Sequence, residues 1–315
     1  VKKHFSLLAT IFVFILMVAA ASLRFKGFFS FDVFLNLLRD NAFLGVAAVG
    51  MTFVILSGGI DLSVGGMIGF TSILVASLIT KHHMHPAAAI AIGLSLGVFL
   101  GAMMGYVISA FDLPPFLVTL AGMFLTRGLA LIVSAETVSI DHPWYDKISG
   151  AKLALPTIFL VILAIGLYIA HLRPFGRAVY AIGGNESSAT LMGLPVGKTK
   201  LKVYALSGFC SAFAGVMYTL YMSSGDANAA RGLELDAIAA VVIGGTLLTG
   251  GVGSLVGTLF GVLILGVIQT SINFQGTLSS WWTKIVIGIL LLLFILLQKA
   301  LLIRKPTFKS AKNLT

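Results

Sequence analysis

Ten stretches of near-continuous apolar residues divide this chain, and most of them approach the length that crosses a lipid bilayer. They cover residues 5–23, 33–56, 64–80, 86–110, 115–134, 155–172, 201–223, 236–249, 254–273 and 281–303. A helix needs about 20 apolar residues to cross roughly 30 Å of hydrocarbon. Lipid offers backbone amides no partner, so only helices and closed barrels span it, and long unbroken runs select the helix. Charged residues make up 10% of the chain and hydrophobic ones 58%, against about 25% and 45–50% in soluble domains, which excludes a soluble globular fold. The expected fold class is all-α, a polytopic membrane protein of about ten transmembrane helices. The 236–249 stretch is short enough to be re-entrant or broken instead of a full span.

Basic residues set the expected topology. Lys2 and Lys3 open the chain, Arg173, Arg177, Lys198, Lys200 and Lys202 mark a central loop, and Lys299, Arg304, Lys305, Lys309 and Lys312 mark the tail. Positive charge collects on the cytoplasmic side. Six crossings to the central loop and four more to the tail put all three places there, with both termini cytoplasmic. Arg24 and Lys26 are the one outward pair against the rule, and the 136–152 loop falls outside. The same bias explains the formal charge of +10. Without aromatic residues interleaved for base stacking, nucleic acid is not an expected partner. The first stretch ends in small residues, Ala19 to Ser22, as a cleavable signal would. Its 19 residues exceed the usual apolar region of such signals, about 7–15 residues, so a retained span is expected.

Glycine, at 35 residues, recurs every fourth position in Gly97, Gly101, Gly105 and again in Gly253, Gly257, Gly261. Small residues at that spacing let helix backbones approach closely, a packing signal that says nothing of substrate. Two further glycine clusters interrupt apolar runs: residues 57–66, SGGIDLSVGG, and residues 244–253, GGTLLTGGVG. The first reads as a helix break with Asp61 or Ser63 as the cap of the next helix. Broken helices at membrane depth border protein or a water-filled path. The two clusters together hint at a duplicated core.

Chemistry-bearing residues are sparse. No Walker A pattern is present, so ATP hydrolysis by that route is not expected of this chain. Cys210 stands alone, and His82, His83 and His85 cluster without a local carboxylate or cysteine, so no metal site is expected. Ionisable residues within apolar runs are costly and are functional candidates by default. These are Arg39 and Asp40 beside Asn41, Arg127, and Lys284, with Glu234 and Asp236 near a boundary. Arg127 either pairs with those two carboxylates or caps carbonyls. In the 173–200 cytoplasmic loop, Asn185 reads as an N-cap, Glu186 as first turn and Gly193 as terminator. The resulting short helix carries Ala189, Leu191 and Met192, too short to span and too apolar to stand free. A docking helix for a cytoplasmic partner explains it best.

Residues 57–66, the loop from Gly176 to Gly193 with AIGGNESSATLMG at 181–193, and residues 234–246, ELDAIAAVVIGGT, together resemble the permease subunits of bacterial ABC sugar importers of the ribose type. More narrowly, residues 40–65, IDHP at 140–143 and GTLSSWWTK at 276–284 are similar to one of the two permeases of galactofuranose importers. The resemblance implies a single transmembrane permease domain over residues 1–315 in the bacterial inner membrane. Its implied partners are a second, non-identical permease, a cytoplasmic ABC ATPase carrying ATP-Mg, a periplasmic sugar-binding protein and membrane lipid. No cofactor would be bound by this chain. Gly184, Asn185, Glu186, Ala189, Leu191, Met192 and Gly193 would then couple to the ATPase. Because sugars offer hydroxyls to amides and apolar faces to rings, Asn41, Phe53, Asp61, Gln269, Asn273 and Trp282 are the expected path residues.

Two other classes stay open at this point. An ion-driven secondary transporter needs an intramembrane carboxylate near a break, for which Asp61 is the candidate. A membrane enzyme needs convergent acid, base or nucleophile, and Asp141, His142 and Asp146 come nearest.

Overall fold

A computed structural model describes residues 2–303 except 278 and 280; the basic residues Arg304, Lys305, Lys309 and Lys312 lie outside the described residues. Fourteen helices appear among the described residues: α1 (Lys2–Arg24), α2 (Phe31–Asp40), α3 (Ala42–Leu56), α4 (Val64–Thr80), α5 (Pro86–Ala110), α6 (Pro115–Val133), α7 (Pro143–Ser149), α8 (Ala154–Leu172), α9 (Pro174–Gly184), α10 (Glu186–Leu191), α11 (Val196–Met222), α12 (Leu233–Ile243), α13 (Leu255–Gln275) and α14 (Trp281–Ile303). Two short strands, β1 (Val138–Ser139) and β2 (Ser224–Gly225), pair antiparallel, Val138 opposite Gly225. Among the described residues, six helices are long and apolar enough to cross a membrane: α5, α6, α8, α11, α13 and residues 6–24 of α1. The α2–α3 pair, bent by 55°, is long and apolar enough only when its two helices are taken together, which gives up to seven. The chain is a multi-pass membrane protein.

The glycines at helical spacing on α5 and α13 do what that spacing predicts, whereas Gly253 precedes α13 and packs on Thr246. A Cβ on Gly105 of α5 would lie 2.8 Å from Leu201 Cα of α11, and one on Gly208 of α11 would lie 3.0 Å from Gly101 Cα. On α13, a Cβ at Gly257 would overlap the Gly244 carbonyl and one at Gly261 the Ala240 carbonyl. Where lipid supplies no hydrophobic drive between helices, this close backbone approach supplies the dispersion contact instead. α11 thereby packs along α5, α3 and α4 at the centre of the bundle, and α12 is pressed onto α13.

Two departures from the expected spans place the site. Residues 33–56 do not form one helix. The Asn41 side chain donates to the Leu37 carbonyl at 2.9 Å, ending α2 before α3 begins. Such local side-chain bonds compete with the helix ladder. Second, α12 has 11 residues, about 16 Å at 1.5 Å per residue, half of the roughly 30 Å a span needs. The loop leading to it descends alongside α4. Ser72 Oγ donates to the Asp226 carbonyl at 3.1 Å, and Cβ atoms on Gly69 and Gly65 would lie 3.0 Å from Ala227 O and 2.6 Å from Ala230 O. This segment therefore folds into the bundle beside α4, and α12 starts there.

Candidate functional site

Carbonyls of a loop folded into the bundle need donors, and Arg127 of α6 supplies them. Its Nη1 donates to Ala229 O at 2.7 Å and its Nη2 to Ala230 O at 3.1 Å. Among the described residues, neither Glu234 nor Asp236 comes within ion-pair distance of it; carbonyl capping supplies its hydrogen bonds, with Glu234 close enough to attract its charge. A lysine at 127 keeps the charge and loses the planar fork. Arg127→Lys is expected to destabilise the chain by about 1–2 kcal/mol, read as a lower thermal unfolding midpoint of the purified protein. An unchanged midpoint would remove Arg127 from this role.

Both departures meet at one cavity of about 480 Å³, within the roughly 300–1,000 Å³ of small-molecule pockets. Asp40 and Asn41 reach it from the α2–α3 bend, Asp236 from the first turn of α12, Gln269 and Asn273 from α13, Lys284 and Trp281 from α14, and Tyr221 and Phe43 add rings. Tyr221 Oη donates to Asp40 Oδ1 at 3.1 Å, and Lys284 Nζ pairs with Asp236 Oδ2. Gln269 and Asn273, one turn apart on α13, present amides side by side. Leu233 and Asp236 bring the first turn of α12, the positive end of its dipole, to the cavity. Hydroxyl-reading carboxylates and amides beside flat rings suit a neutral polyhydroxylated ligand.

Asn41, Gln269 and Asn273 are thus three of the expected path residues that the structure brings together. The other three lie elsewhere. Phe53 is buried and stacks on Phe175 of α9 with ring centroids 6.1 Å apart. Trp282 is 47% exposed and next to the cavity-lining Trp281 without lining it. Asp61 is buried: its Oδ1 accepts from Ser63 N at 2.9 Å and Ser63 Oγ at 2.6 Å, and its Oδ2 from Ser207 Oγ at 2.6 Å. Asp61 therefore ties the break to α11 and does not cap α4; Ser63, the N-cap residue, makes no side-chain cap bond. The expected path residues did not include Asp40, Tyr221, Asp236, Trp281 and Lys284, which form cavity walls. The signal for three of them was present, since Asp40, Asp236 and Lys284 stand among the few ionisable residues of apolar runs.

A second cavity, about 460 Å³, is lined in part by His83, His85, Asp141 and His142. His85 Nδ1 accepts from Ala87 N at 3.2 Å and His142 Nδ1 from Trp144 N at 3.1 Å, so each caps a helix. Among the described residues, no group of three or more His, Cys, Asp or Glu side chains is arranged to hold a metal.

At the opposite end of α11, which is 27 residues long or about 40 Å, lies the 173–200 loop. Asn185 Oδ1 accepts from Ser188 N at 2.7 Å as the cap of α10, and Gly193 at φ +77° follows its end. Ala189 is fully buried and Lys200 Nζ holds Glu186 Oε1 at 2.6 Å, anchoring α10 to α11. Leu191 and Met192 stand 89% and 69% exposed. Just before this helix, three glycine motifs converge. Gly251 N donates to Leu56 O at 2.9 Å, joining the two breaks. A Cβ on Gly183 would overlap Leu56 O and lie 2.6 Å from Gly251 N, while one on Gly250 would lie 2.8 Å from Gly58 N. The end of α9 is wedged between both breaks, and Tyr180 Oη donates to Gly253 O at 3.0 Å beside it.

The family described as branched-chain amino acid transport system / permease component matches residues 33–295. The chain is 51% identical to the inner membrane ABC transporter permease protein YjfF of Escherichia coli (strain K12), over 96% of this chain and 94% of that relative. It is 40% identical to the ribose import permease protein RbsC of Bacillus subtilis (strain 168), over 84% of each. It is 35% identical to the fructose import permease protein FruG of Bifidobacterium longum (strain NCC 2705), over 96% of this chain and 94% of that relative. No solved structure matches the chain.

Proposed function

Because the chain belongs to the branched-chain amino acid transport system / permease component family, a family of transport components and not enzymes, we propose that it is the membrane-spanning subunit of an ATP-driven sugar importer. The family description names amino acids, whereas the two relatives above that are named for a substrate are named for ribose and fructose. Cavity chemistry favours the sugar. It offers side-chain amides and carboxylates to hydroxyls, with aromatic rings beside them, and the one observation that carries the reading is that the α2–α3 bend and the start of the short helix α12 meet there. Discontinuous helices at a cavity are how transporters expose backbone dipoles to a substrate without exposing them to lipid.

Within that reading the substrate is galactofuranose, taken from a periplasmic binding protein. The chain spans the inner membrane ten times with both termini in the cytoplasm, α4, α12 and α14 completing the count as short or half spans. It pairs with a second, non-identical permease. α10 docks on a cytoplasmic ATPase that holds ATP-Mg, and the wedge at Gly183 carries that movement to the breaks at Gly58 and Gly250. A ligand drives such a switch only through its differential affinity for the two states.

The test is uptake of labelled galactofuranose, with ribose and galactopyranose as competitors, into proteoliposomes holding this chain, its permease partner and the ATPase, with binding protein outside and ATP inside. ATP-dependent uptake that requires this chain supports the reading; uptake driven by an ion gradient without ATP would replace it. Gln269→Leu and Asn273→Leu each remove one neutral hydrogen-bonding group, worth about 0.5–1.5 kcal/mol. Each is expected to cut uptake roughly two- to tenfold with the complex intact. Unchanged uptake in both would move the path away from this cavity.

A further inference from the structure

Lys284 occupies an electrostatically unfavourable place. It sits in the first turn of α14, where the helix dipole is positive and a cation is repelled, and it lies within an apolar segment where an unpaired charge is penalised. Asp236, in the first turn of α12, is the group that accepts it. The pair is not a buried staple, since the Lys284 side chain is 50% exposed, that of Asp236 19%, and both line the cavity. Half-exposed pairs contribute little net stability, so they exchange partners readily. The pair adds a charged tie between two helices that also pack against each other. α12 is held at its far end by backbone packing on α13, through Gly244 and Gly257, and on its loop by Arg127. α14 carries Trp281 and Lys284 against the cavity.

We propose that the Asp236–Lys284 pair is a latch in the wall of the cavity, holding α14 against α12 in the resting state and parting when substrate passes. The proposal rests on the reading of this cavity as the transport path. A latch of this kind seals against passive leak, which a merely stabilising pair does not do. With the latch closed, small neutral solutes are excluded; with it removed, they permeate without ATP.

The experiment uses proteoliposomes holding the full complex and follows swelling in erythritol by light scattering, which does not depend on which sugar is the true substrate. Lys284→Met is expected to raise the ATP-independent swelling rate at least severalfold over wild type, and the charge-swapped pair Asp236→Lys with Lys284→Asp to return it to the wild-type rate. Should Lys284→Met fail to assemble because Asp236 is left unpaired, the double variant Asp236→Asn with Lys284→Gln removes both charges together and is expected to leak equally. A wild-type swelling rate in an assembled charge-neutral variant overturns the latch, as does a leak that the charge swap leaves in place. Absence of ATP-driven sugar uptake by the wild-type complex overturns the transport reading instead, so the two failures are told apart.

Discussion

Gly183→Ala is expected to reduce ATP-driven uptake by about tenfold or more, while Gly184→Ala, one residue away, stays within about twofold of wild type. The contrast comes from backbone geometry. A methyl at 183 overlaps the Leu56 carbonyl and sits 2.6 Å from Gly251 N, the two atoms whose 2.9 Å hydrogen bond joins the glycine breaks. Neither neighbour is a side chain that can turn aside, so the end of α9 must back out or the bond must open. Overpacking of this kind costs about 1–3 kcal/mol, and each 1.4 kcal/mol shifts a two-state equilibrium about tenfold. A methyl at 184 meets nothing within 4 Å and needs no unusual φ. Uptake assays on both variants, with thermal unfolding beside them, decide the matter. Equal effects at 183 and 184 would mean that the wedge does not carry movement, and a wild-type rate for Gly183→Ala would remove it altogether.

Two of the three motifs that meet here were visible in the chain as glycine clusters interrupting apolar runs, and Gly183 stood in the loop before the Asn185 cap, yet nothing local placed the three together. Their contacts join residues 56–58, 183–184 and 250–251, and separations that large are set by packing of whole helices. Features governed by neighbours within a few residues were legible. The α10 cap at Asn185 and the stop at Gly193 follow from side-chain chemistry alone. The stripe Gly97 to Gly105 on α5 and the pair Gly257 and Gly261 on α13 follow from helical period. The bend at Asn41 lay in between: Arg39, Asp40 and Asn41 are a polar triplet in an apolar run, but only the bond from Asn41 to Leu37 O shows that the helix ends there.

The loop before α12 was the least legible element. Residues 224–232 hold Gly225, Asp226, Asn228, Arg231 and Gly232, the composition of an exposed connection. What takes it into the bundle is a set of partners far along the chain, Ser72 on α4 and Arg127 on α6. The same distance explains why Gln269 and Asn273 could be paired from their spacing, whereas Tyr221 and Lys284 could not be added to them. Ionisable residues in apolar runs were the usable clue, because their burial has to be compensated by a cavity or a partner.

The largest functional effect is expected at the other end of the molecule, from Leu191→Asp combined with Met192→Asp. Both side chains project into solvent at the end of α10, so the fold has little to lose, and surface changes of this kind alter stability by about 0.5 kcal/mol or less. The helix itself is held by Ala189, by the Asn185 cap and by the Glu186–Lys200 pair, none of which the double variant touches. If these two residues are the apolar anchors that enter the ATPase, each loses about 1.5–3 kcal/mol of burial on docking, and each introduces a carboxylate that must be desolvated without a partner. The sum weakens docking by at least about a hundredfold. The expected result is a chain with a wild-type unfolding midpoint that neither takes up sugar nor supports stimulation of ATP hydrolysis by loaded binding protein. Stimulated hydrolysis at the wild-type rate would show that the ATPase docks elsewhere. A lowered midpoint with normal coupling would instead mean that Leu191 and Met192 pack within the assembled permease and are not offered to the ATPase.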